Sequence, residues 1–210
     1  MVMIHLQEYN LPDVVYMRSV REGVFTWVPD QTYVVLGQRD KPEQALVDNQ
    51  SLYSNIVVVK RLSGGHSVVL TPLTLVLSVH AVSPDISRTK AWFNSCSASL
   101  LEALQLCGVY KAAIGGVSDI SIGGRKILGS SVYRSKEIIF WHAVLNVAES
   151  PYFISSLLAH PATEPQYRNK RSHHEFITSV VEHYPEFNVD VFRHKFEKIV
   201  STQMLSGTTL

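Results

Sequence analysis

The sequence predicts an α+β fold with a mostly antiparallel sheet flanked by helices. Three observations support this prediction. Short apolar runs of strand type follow one another closely, a two-residue glycine turn separates two of them, and helical periodicity is confined to one central segment and to the C-terminal part. Strands that pair locally, one intervening helix and terminal helices are typical of α+β domains. A length of 210 residues suits one compact domain.

The predicted strands are rich in Val, Leu and Ile, which favour pleated, half-buried backbone. The first group covers residues 32–36, 56–61, 68–70 and 75–82. Residues 118–122 and 125–133 then flank Gly123-Gly124, and residues 137–147 follow as a further strand. Tight hairpins require positive φ in a two-residue turn, which glycine adopts freely. The sequence therefore predicts an antiparallel hairpin at Gly123-Gly124.

A central helix is predicted for residues 90–107, where apolar side chains recur at steps of three and four. Its apolar face includes Cys96 and Cys107, the two cysteines of the chain. Eleven residues along a helix separate their Cα atoms by roughly 16 Å, which is too far for a disulfide. We therefore expect two packed, inert thiols, as in a reducing compartment.

The C-terminal part is predicted to be helical. Ser172 and Glu175 fit a capping box, after which Phe176, Val180 and Tyr184 line one face of a helix. A last helix is predicted for residues 188–200.

Charge and hydropathy exclude several classes of protein. The 19 Lys and Arg balance 18 Asp and Glu, so no overall field attracts nucleic acid or an anionic membrane. The N-terminal residues lack the pattern of a signal peptide, and no apolar run is long enough to span a bilayer. The chain is therefore predicted to be cytoplasmic, with no nucleic-acid or membrane partner.

The segment Lys60-Arg-Leu-Ser-Gly-Gly-His-Ser-Val-Val69 is the first candidate site. A Ser-Gly-Gly turn between strands lets backbone N–H groups approach a phosphate or carboxylate, and Arg61 adds a bidentate positive charge. The segment lacks the Gly-Lys-Ser/Thr ending of a Walker A loop. Taken alone, such a turn is more often a plain connection between strands.

The segment Ser118-Asp-Ile-Ser-Ile-Gly-Gly-Arg-Lys-Ile-Leu-Gly-Ser-Ser131 is the second. Strand alternation aims Lys126 at the same face as Leu128 and Ser130. A lysine among apolar and small residues either serves a pocket, since an unpaired buried ammonium is costly, or lies in solvent on an edge strand.

Two further segments carry polar groups of possible function. His142 lies on an apolar strand, where a lone histidine is most often a hydrogen-bonded core residue. Residues 167–175 bring three basic side chains to a helix start, which attracts anions but also suits a solvated loop. The nine histidines show no metal-ligand spacing, so no metal site is predicted.

The order and spacing of these segments resemble the lipoate–protein ligase and octanoyltransferase family. The matching parts are the paired basic residues with a glycine run, the Asp-containing strand, the glycine turn with Arg-Lys-Ile-Leu-Gly-Ser, and the histidine-containing strand. The resemblance covers about residues 34–181. It implies the catalytic-domain fold of biotin and lipoate ligases, similar to that of class II aminoacyl-tRNA synthetases.

The resemblance implies a mechanism in which lipoate or octanoate is activated with ATP and Mg²⁺ as an acyl-adenylate. The acyl group then passes to a lysine of a lipoyl carrier domain, of the 2-oxoacid dehydrogenase E2 or glycine-cleavage H protein type. Lys126 matches the lysine that binds the acyl carbonyl and the phosphate, and is the implied catalytic residue. The implied substrate- and nucleotide-binding residues are Arg61, Ser63, Gly64, Gly65, His66, Asp119, Gly129 and His142.

Three departures from the family pattern keep alternatives open. They lie at His66-Ser67, at residues 71–74 and at Val117-Ser118, and each changes a polar contact or adds bulk. One alternative is an acyltransferase that works without ATP, although that route uses a cysteine nucleophile and neither expected position holds one. The other is a catalytically degenerate, partner-dependent binding paralogue.

The resemblance also bears on domain organisation. Residues 1–210 are expected to form a single catalytic domain without a C-terminal accessory domain, which a second polypeptide would then supply.

Overall fold

The computed structural model describes residues 4–19, 22–82 and 89–205. The first half of the chain forms β1 (Leu6–Glu8), α1 (Val14–Met17), β2 (Gly23–Trp27), β3 (Tyr33–Leu36), α2 (Pro42–Ala45), β4 (Val57–Lys60), β5 (Val68–Leu70), β6 (Thr74–Val82) and α3 (Thr89–Leu106). The second half forms β7 (Ala112–Gly115), β8 (Asp119–Ile122), β9 (Arg125–Arg134), β10 (Ile138–Asn146), α4 (Pro151–Leu157), α5 (His173–Phe176), α6 (Val180–His183) and α7 (Val189–Leu205).

The strands form two sheets. A six-stranded sheet has the order β2-β6-β10-β9-β8-β7, and all of its pairs are antiparallel. A four-stranded sheet has the order β1-β4-β3-β5, in which β4 runs parallel to both β1 and β3. The α+β prediction with a mostly antiparallel, mixed sheet is therefore confirmed.

The largest core lies between the six-stranded sheet and the helices α3 and α7. Trp141 of β10, Leu100 of α3 and Phe196 of α7 are all fully buried there. Removing such side chains from water contributes roughly 2 kcal/mol each. This packing explains the helical periodicity of α3 and α7, because the apolar stripe of each helix faces the sheet.

The predicted hairpin is present at Gly123 and Gly124, which have φ of 58° and 75°. Ile122 pairs with Arg125 across this turn, so the loop has two residues. Between Ile120 and Ser121 the register with β9 shifts by one residue, which leaves Ile127 as a bulge directly after Lys126. The sequence did not predict this bulge, which alters the simple alternation of side chains around Lys126.

The single helix predicted after Ser172 is wrong. α5 ends at Phe176, and α6 begins only at Val180. Between them, Ile177 forms a parallel bridge with Lys126, and the Thr178 N–H donates to the Lys126 carbonyl at 2.9 Å. This segment thus pairs with the backbone of β9. The pairing interrupts the helix that the local periodicity predicts. The capping interaction itself is present, since the Ser172 N–H donates to the Glu175 carboxylate at 2.9 Å.

The two cysteines are free thiols with different environments. Cys96 is completely buried on α3, and burial raises the pKa of its thiol; Cys107 follows α3 and is half-buried. We expect Cys96→Ala to lower the free energy of unfolding by about 1 kcal/mol, because it deletes a packed group. Cys107→Ala should cost less, as measured by chemical denaturation.

The reactivity of the two thiols gives a second readout. Iodoacetamide should modify Cys107 of the folded protein well before Cys96, since a buried thiol with a raised pKa is inert. Faster modification of Cys96 would contradict the packing described here.

Candidate functional site

A cavity of about 190 Å³ lies between β5 of one sheet and β9 and β10 of the other. Its apolar wall includes Val68, Leu128, Val144, Ile154, Leu158 and Phe176. Its polar wall includes Asp40, His66, Asp119, Lys126, Arg168 and His173. An apolar cavity with a few convergent polar groups is the usual form of a small-molecule site.

The glycine loop (residues 63–67) borders this cavity through His66 and Ser67. Nη2 of Arg61 donates to the carbonyls of Gly64 and His66, both at 2.7 Å, and Ser131 Oγ also donates to the Gly64 carbonyl at 2.7 Å. A trans peptide holds its C=O and N–H in opposite directions. The N–H groups of Gly65 and Ser67 therefore point away from Arg61. Within the described part of the chain they donate to no acceptor, so they are free to bind an anion.

Two glycines make this arrangement possible. A Cβ on Gly37 would lie 1.9 Å from the Gly65 carbonyl oxygen, so the turn after β3 and the glycine loop approach each other at backbone distance. Gly65 itself has φ of 79°, which side chains other than glycine rarely adopt.

Arg61 lies behind the glycine loop and does not line the cavity. Arg61 is 6% exposed as a residue, and its guanidinium also donates to the Val35 carbonyl. Burial lowers the pKa of Arg61 to about 10, against the opposing effect of the Asp40 carboxylate, so the group stays charged at neutral pH. The sequence predicted direct charge contact with an anion. The structure instead directs this charge to the carbonyls of the loop.

Lys126 reaches the cavity from β9, next to Asp119 of β8. Its Nζ lies 2.9 Å from Asp119 Oδ1, and its side chain is 28% exposed. A Cβ on Gly129 would lie 2.6 Å from Nζ, so this glycine leaves the space that the lysine occupies. The structure thus brings Lys126, Asp119 and Gly129 together, with the ammonium beside the polar wall.

Tyr167 also belongs to this cluster, although the sequence did not single it out. Its hydroxyl donates to Asp119 Oδ2 at 2.7 Å, so Asp119 bridges Tyr167 and Lys126. Burial and the neighbouring Asp119 carboxylate raise the pKa of Tyr167. The ring lies against Gly115 and Gly116, where a Cβ would come within 3.0 and 3.2 Å of ring atoms. Gly116, with φ of 60°, also begins the turn between β7 and β8, so the glycine pair in the sequence serves both this turn and the contact with the Tyr167 ring.

His66 lies at the mouth of the cavity with 45% of its side chain exposed. Its Nε2 is 3.1 Å from Thr163 Oγ1, and its Nδ1 is 3.7 Å from the Asp40 carboxylate. Asp40 also accepts from Ser67 Oγ at 2.6 Å. His66 therefore joins the glycine loop to the 159–165 segment on the opposite side of the opening.

Ser63 and His142 lie beneath the loop and outside the cavity lining. Ser63 Oγ is 2.5 Å from His142 Nε2 and accepts from Arg61 Nε at 3.0 Å. Burial lowers the pKa of His142, so its imidazole is neutral at pH 7. These two residues accompany the site without facing its ligand space.

The basic segment near residue 170 contributes one cation to the cavity. Arg168 is 3.3 Å from Glu164 and stacks over Phe176, while Arg171 donates to the carbonyls of Gly124 and Tyr167. His173 also lines the cavity; burial lowers its pKa to about 4, so it is neutral. The predicted anion site at this helix start is thus reduced to Arg168.

The described residues contain no group of three or more His, Cys, Asp or Glu side chains arranged to hold a metal ion. None of the helices formed by residues 4–19, 22–82 and 89–205 is both long and apolar enough to cross a membrane.

Comparison with known families gives one match along nearly the whole chain. The model described as "Lipoyl protein ligase A/B catalytic domain" matches residues 4–201. Lipoate–protein ligase 1 of Staphylococcus aureus is 26% identical over 140 residues, which are 67% of this chain and 40% of that protein. A lipoate–protein ligase of Bacillus subtilis is 28% identical over 116 residues, 55% of this chain and 34% of that protein. The chain thus matches less than half the length of either relative.

Solved structures share the fold. An archaeal bipartite lipoate protein ligase from Thermoplasma acidophilum, described together with its E2 lipoyl domain, has a TM-score of 0.77 at 20% identity, covering 95% of this chain and 82% of that one. A lipoate–protein ligase A bound with ATP has a TM-score of 0.73 at 18% identity, covering 95% and 84%.

Tyr167→Phe tests the bridge through Asp119. Removing the hydroxyl should lower the free energy of unfolding by about 1–2 kcal/mol, because a buried carboxylate loses a hydrogen bond. Chemical denaturation measures the change, with the largely exposed Tyr110→Phe as the matched control. Equal stability of the two variants would show that Tyr167 does not hold Asp119.

Proposed function

Because the chain belongs to the lipoyl protein ligase A/B catalytic domain family, we propose that it is a lipoate–protein ligase. It activates lipoate or octanoate with ATP and transfers the acyl group to a lysine of a lipoyl carrier domain. The observation that carries this proposal is the cavity, in which the ammonium of Lys126 and the free backbone N–H of Ser67 adjoin an apolar wall, with Gly64 and Gly65 next to the lining residues.

The polar wall suits adenylation. A carboxylate oxygen of the fatty acid attacks the α-phosphorus of ATP, forming the acyl-adenylate as the bond to pyrophosphate breaks. Negative charge on the α-phosphate and the carboxylate is stabilised by Lys126 and by the N–H groups of Gly65 and Ser67. Before a ligand binds, Asp119 balances the ammonium of Lys126. The incoming anion would take over part of that role.

The second step is acyl transfer. A neutral lysine amine of the carrier attacks the acyl carbonyl, the amide bond forms, and AMP leaves with the bonding electrons of the anhydride. The amine loses its proton to the solvent or to the leaving phosphate. Lys126 stabilises the oxyanion that develops on the carbonyl oxygen.

The apolar wall suits the acyl chain. Val68, Val144, Ile154 and Leu158 offer no hydrogen-bonding side chain, so burial of methylene groups supplies the binding free energy. About 0.8 kcal/mol for each buried methylene would favour a medium-length chain over acetate.

Magnesium accompanies ATP in this proposal. Oxygen ligands suit Mg²⁺, which one or two carboxylates and the nucleotide phosphates usually hold together. Asp40 and Asp119 are carboxylates of the cavity wall that fit this role. The ion would neutralise phosphate charge there.

Acyl transfer without ATP finds no nucleophile in the described site. Neither Cys96 nor Cys107 lines the cavity, and Cys96 has no exposed surface. A thioester intermediate would need an accessible thiolate.

The carrier is proposed to be a lipoyl domain of the E2 or H-protein type. We propose further that residues 1–210 act as one catalytic domain and that an accessory subunit works with it. Support comes from the archaeal neighbour, which is described as bipartite and together with its E2 lipoyl domain.

Lys126→Ala tests the proposed chemistry. Lipoate-dependent ATP–pyrophosphate exchange should fall by roughly a thousandfold, as when a principal oxyanion donor is lost. The free energy of unfolding should fall by about 1–2 kcal/mol, as for Tyr167→Phe, because the buried Asp119 carboxylate loses one of its two partners. Lys136→Ala, an exposed lysine in the turn before β10, is the control. Wild-type protein without exchange activity, even with a carrier and a candidate second subunit added, would contradict the proposal.

His66→Gly tests how the histidine serves the nucleotide. We expect His66 to donate a hydrogen bond to a phosphate, so that His66→Gly weakens ATP binding about tenfold in calorimetry with Mg²⁺ and lipoate. Thr163→Val removes the hydroxyl that contacts His66 Nε2, so this variant should bind ATP as tightly as the wild type or more tightly. ATP binding by His66→Gly alone, and none by the wild type, would mean that the histidine blocks a repurposed binding module.

A further inference from the structure

Four side chains beneath the glycine loop form one continuous polar chain. Asp13 of the N-terminal segment lies 3.8 Å from His142 Nδ1, His142 Nε2 lies 2.5 Å from Ser63 Oγ, and Arg61 Nε donates to Ser63 Oγ at 3.0 Å. Arg61 then holds the carbonyls of Gly64 and His66. We name Asp13, His142, Ser63 and Arg61 the buried relay.

We propose that the buried relay is the positioning device of the glycine loop, with Asp13 and His142 acting on the ligand only through Ser63 and Arg61. Its effect on catalysis rests on the function proposed above. Its effect on the loop does not.

Burial separates this role from direct ligand contact. Asp13 is 0% exposed, Ser63 2% and Arg61 6%, and none of the four lines the cavity. Asp13 is anchored by Tyr9, whose hydroxyl donates to Oδ1 at 2.6 Å, and by Ser78, whose hydroxyl donates to Oδ2 at 3.0 Å. A buried carboxylate must keep its hydrogen-bond donors, so these two bonds hold the Asp13 side chain in one position.

Arg61 fixes one hydrogen bond of the relay. A guanidinium only donates, so Ser63 Oγ accepts from Arg61 Nε. Within the described part of the chain, His142 Nε2 is the one acceptor in reach of the Ser63 hydroxyl proton, and we therefore assign the neutral ring an unprotonated Nε2 and a proton on Nδ1, towards Asp13. At 3.8 Å this last contact is electrostatic, because it exceeds the length of a hydrogen bond.

The order of carboxylate, imidazole and hydroxyl is also that of a hydrolytic triad. Ser63 cannot act as the nucleophile here, because its oxygen accepts from Arg61 and has almost no exposed surface. The hydroxyl serves instead as the link between His142 and Arg61.

The glycine loop needs such a device. Gly64 and Gly65 have backbone freedom that no side chain restrains. If the peptide between them turned over, the Gly64 carbonyl would point away from Arg61, and an acceptor would replace the Gly65 N–H donor on the outer side of the loop. An anion would then meet a partial negative charge. The relay prevents this by holding Arg61 where it binds the carbonyl.

The first test needs no ligand. In ¹⁵N NMR spectra of the wild-type protein, the ring nitrogens of His142 should report the Nδ1–H tautomer. A protonated Nε2 at neutral pH would overturn the proposal, since the hydroxyl of Ser63 would then have no acceptor in the relay.

The second test compares Ser63→Ala with Ser99→Ala. Ser99 is a fully buried serine at the contact of α3 with α7, where its hydroxyl donates to Gln203. In ¹⁵N relaxation measurements, Ser63→Ala should introduce microsecond-to-millisecond exchange at Gly64 and Gly65, and Ser99→Ala should not. Unchanged loop dynamics in Ser63→Ala would overturn the proposal.

Asp13→Asn provides a variant of equal size. Its amide would favour a proton on His142 Nε2, so that Nε2 could no longer accept from the Ser63 hydroxyl. The side chain at position 13 would keep its size, so the surrounding packing would be preserved. The same exchange at Gly64 and Gly65 is expected. If Ser63→Ala proves too unstable for study, this variant carries the test alone.

Kinetics then connect the relay to function. In ATP–pyrophosphate exchange, Ser63→Ala and Asp13→Asn should raise KM for ATP about tenfold, while KM for lipoate stays unchanged because the apolar wall is untouched. If only kcat fell, and fell in proportion to the fraction of folded protein, the relay would have a purely structural role. That result would overturn the proposal that it positions the glycine loop. If the wild type shows no ATP-dependent activity, the function proposed above fails, and the NMR measurements still decide the relay.

Discussion

The buried guanidinium of Arg61 is the constraint on which the site depends. A charge removed from water must be surrounded by acceptors, and Arg61 finds them in three backbone carbonyls and one hydroxyl. Two of these carbonyls belong to the glycine loop, so satisfying the charge also sets the direction of the loop peptides. The same requirement ties β4 and β5 of one sheet to His142 of the other, through Ser63. The loop conformation therefore follows from the need to satisfy a charge, and not from local turn preference alone.

Lys126, the second cation described above, is less buried than Arg61. Its side chain is partly exposed, and its one ion-pair partner in the described part of the chain is Asp119, at 2.9 Å. Gly129 provides the space for the ammonium, and Tyr167 keeps the carboxylate in place from the other side. The guanidinium of Arg61 thus binds backbone carbonyls, whereas the ammonium of Lys126 remains accessible from the cavity.

Much of the fold could be predicted because it is encoded locally. α3 and the hairpin at Gly123-Gly124 are specified by nearby residues, through helical periodicity and positive φ. β1 was not predicted, because its three residues are exposed and become a strand only by pairing with β4, about fifty residues away. The break between α5 and α6 was missed for a related reason. Ile177 and Thr178 leave the helix to pair with Lys126, a partner that the local pattern does not reveal.

The sequence by itself determined the central strands, α3 and α7, and it singled out Lys126 and the glycine loop as candidate groups. Only the tertiary structure decided what those groups face. It turned Arg61 towards the loop carbonyls, brought Tyr167 to Asp119 and placed His66 against Thr163 across the mouth of the cavity. The physical reason is that periodicity and turn chemistry act between residues a few positions apart. Hydrogen bonds to a buried charge, in contrast, join whichever residues the packing of the two sheets brings within 3 Å of each other.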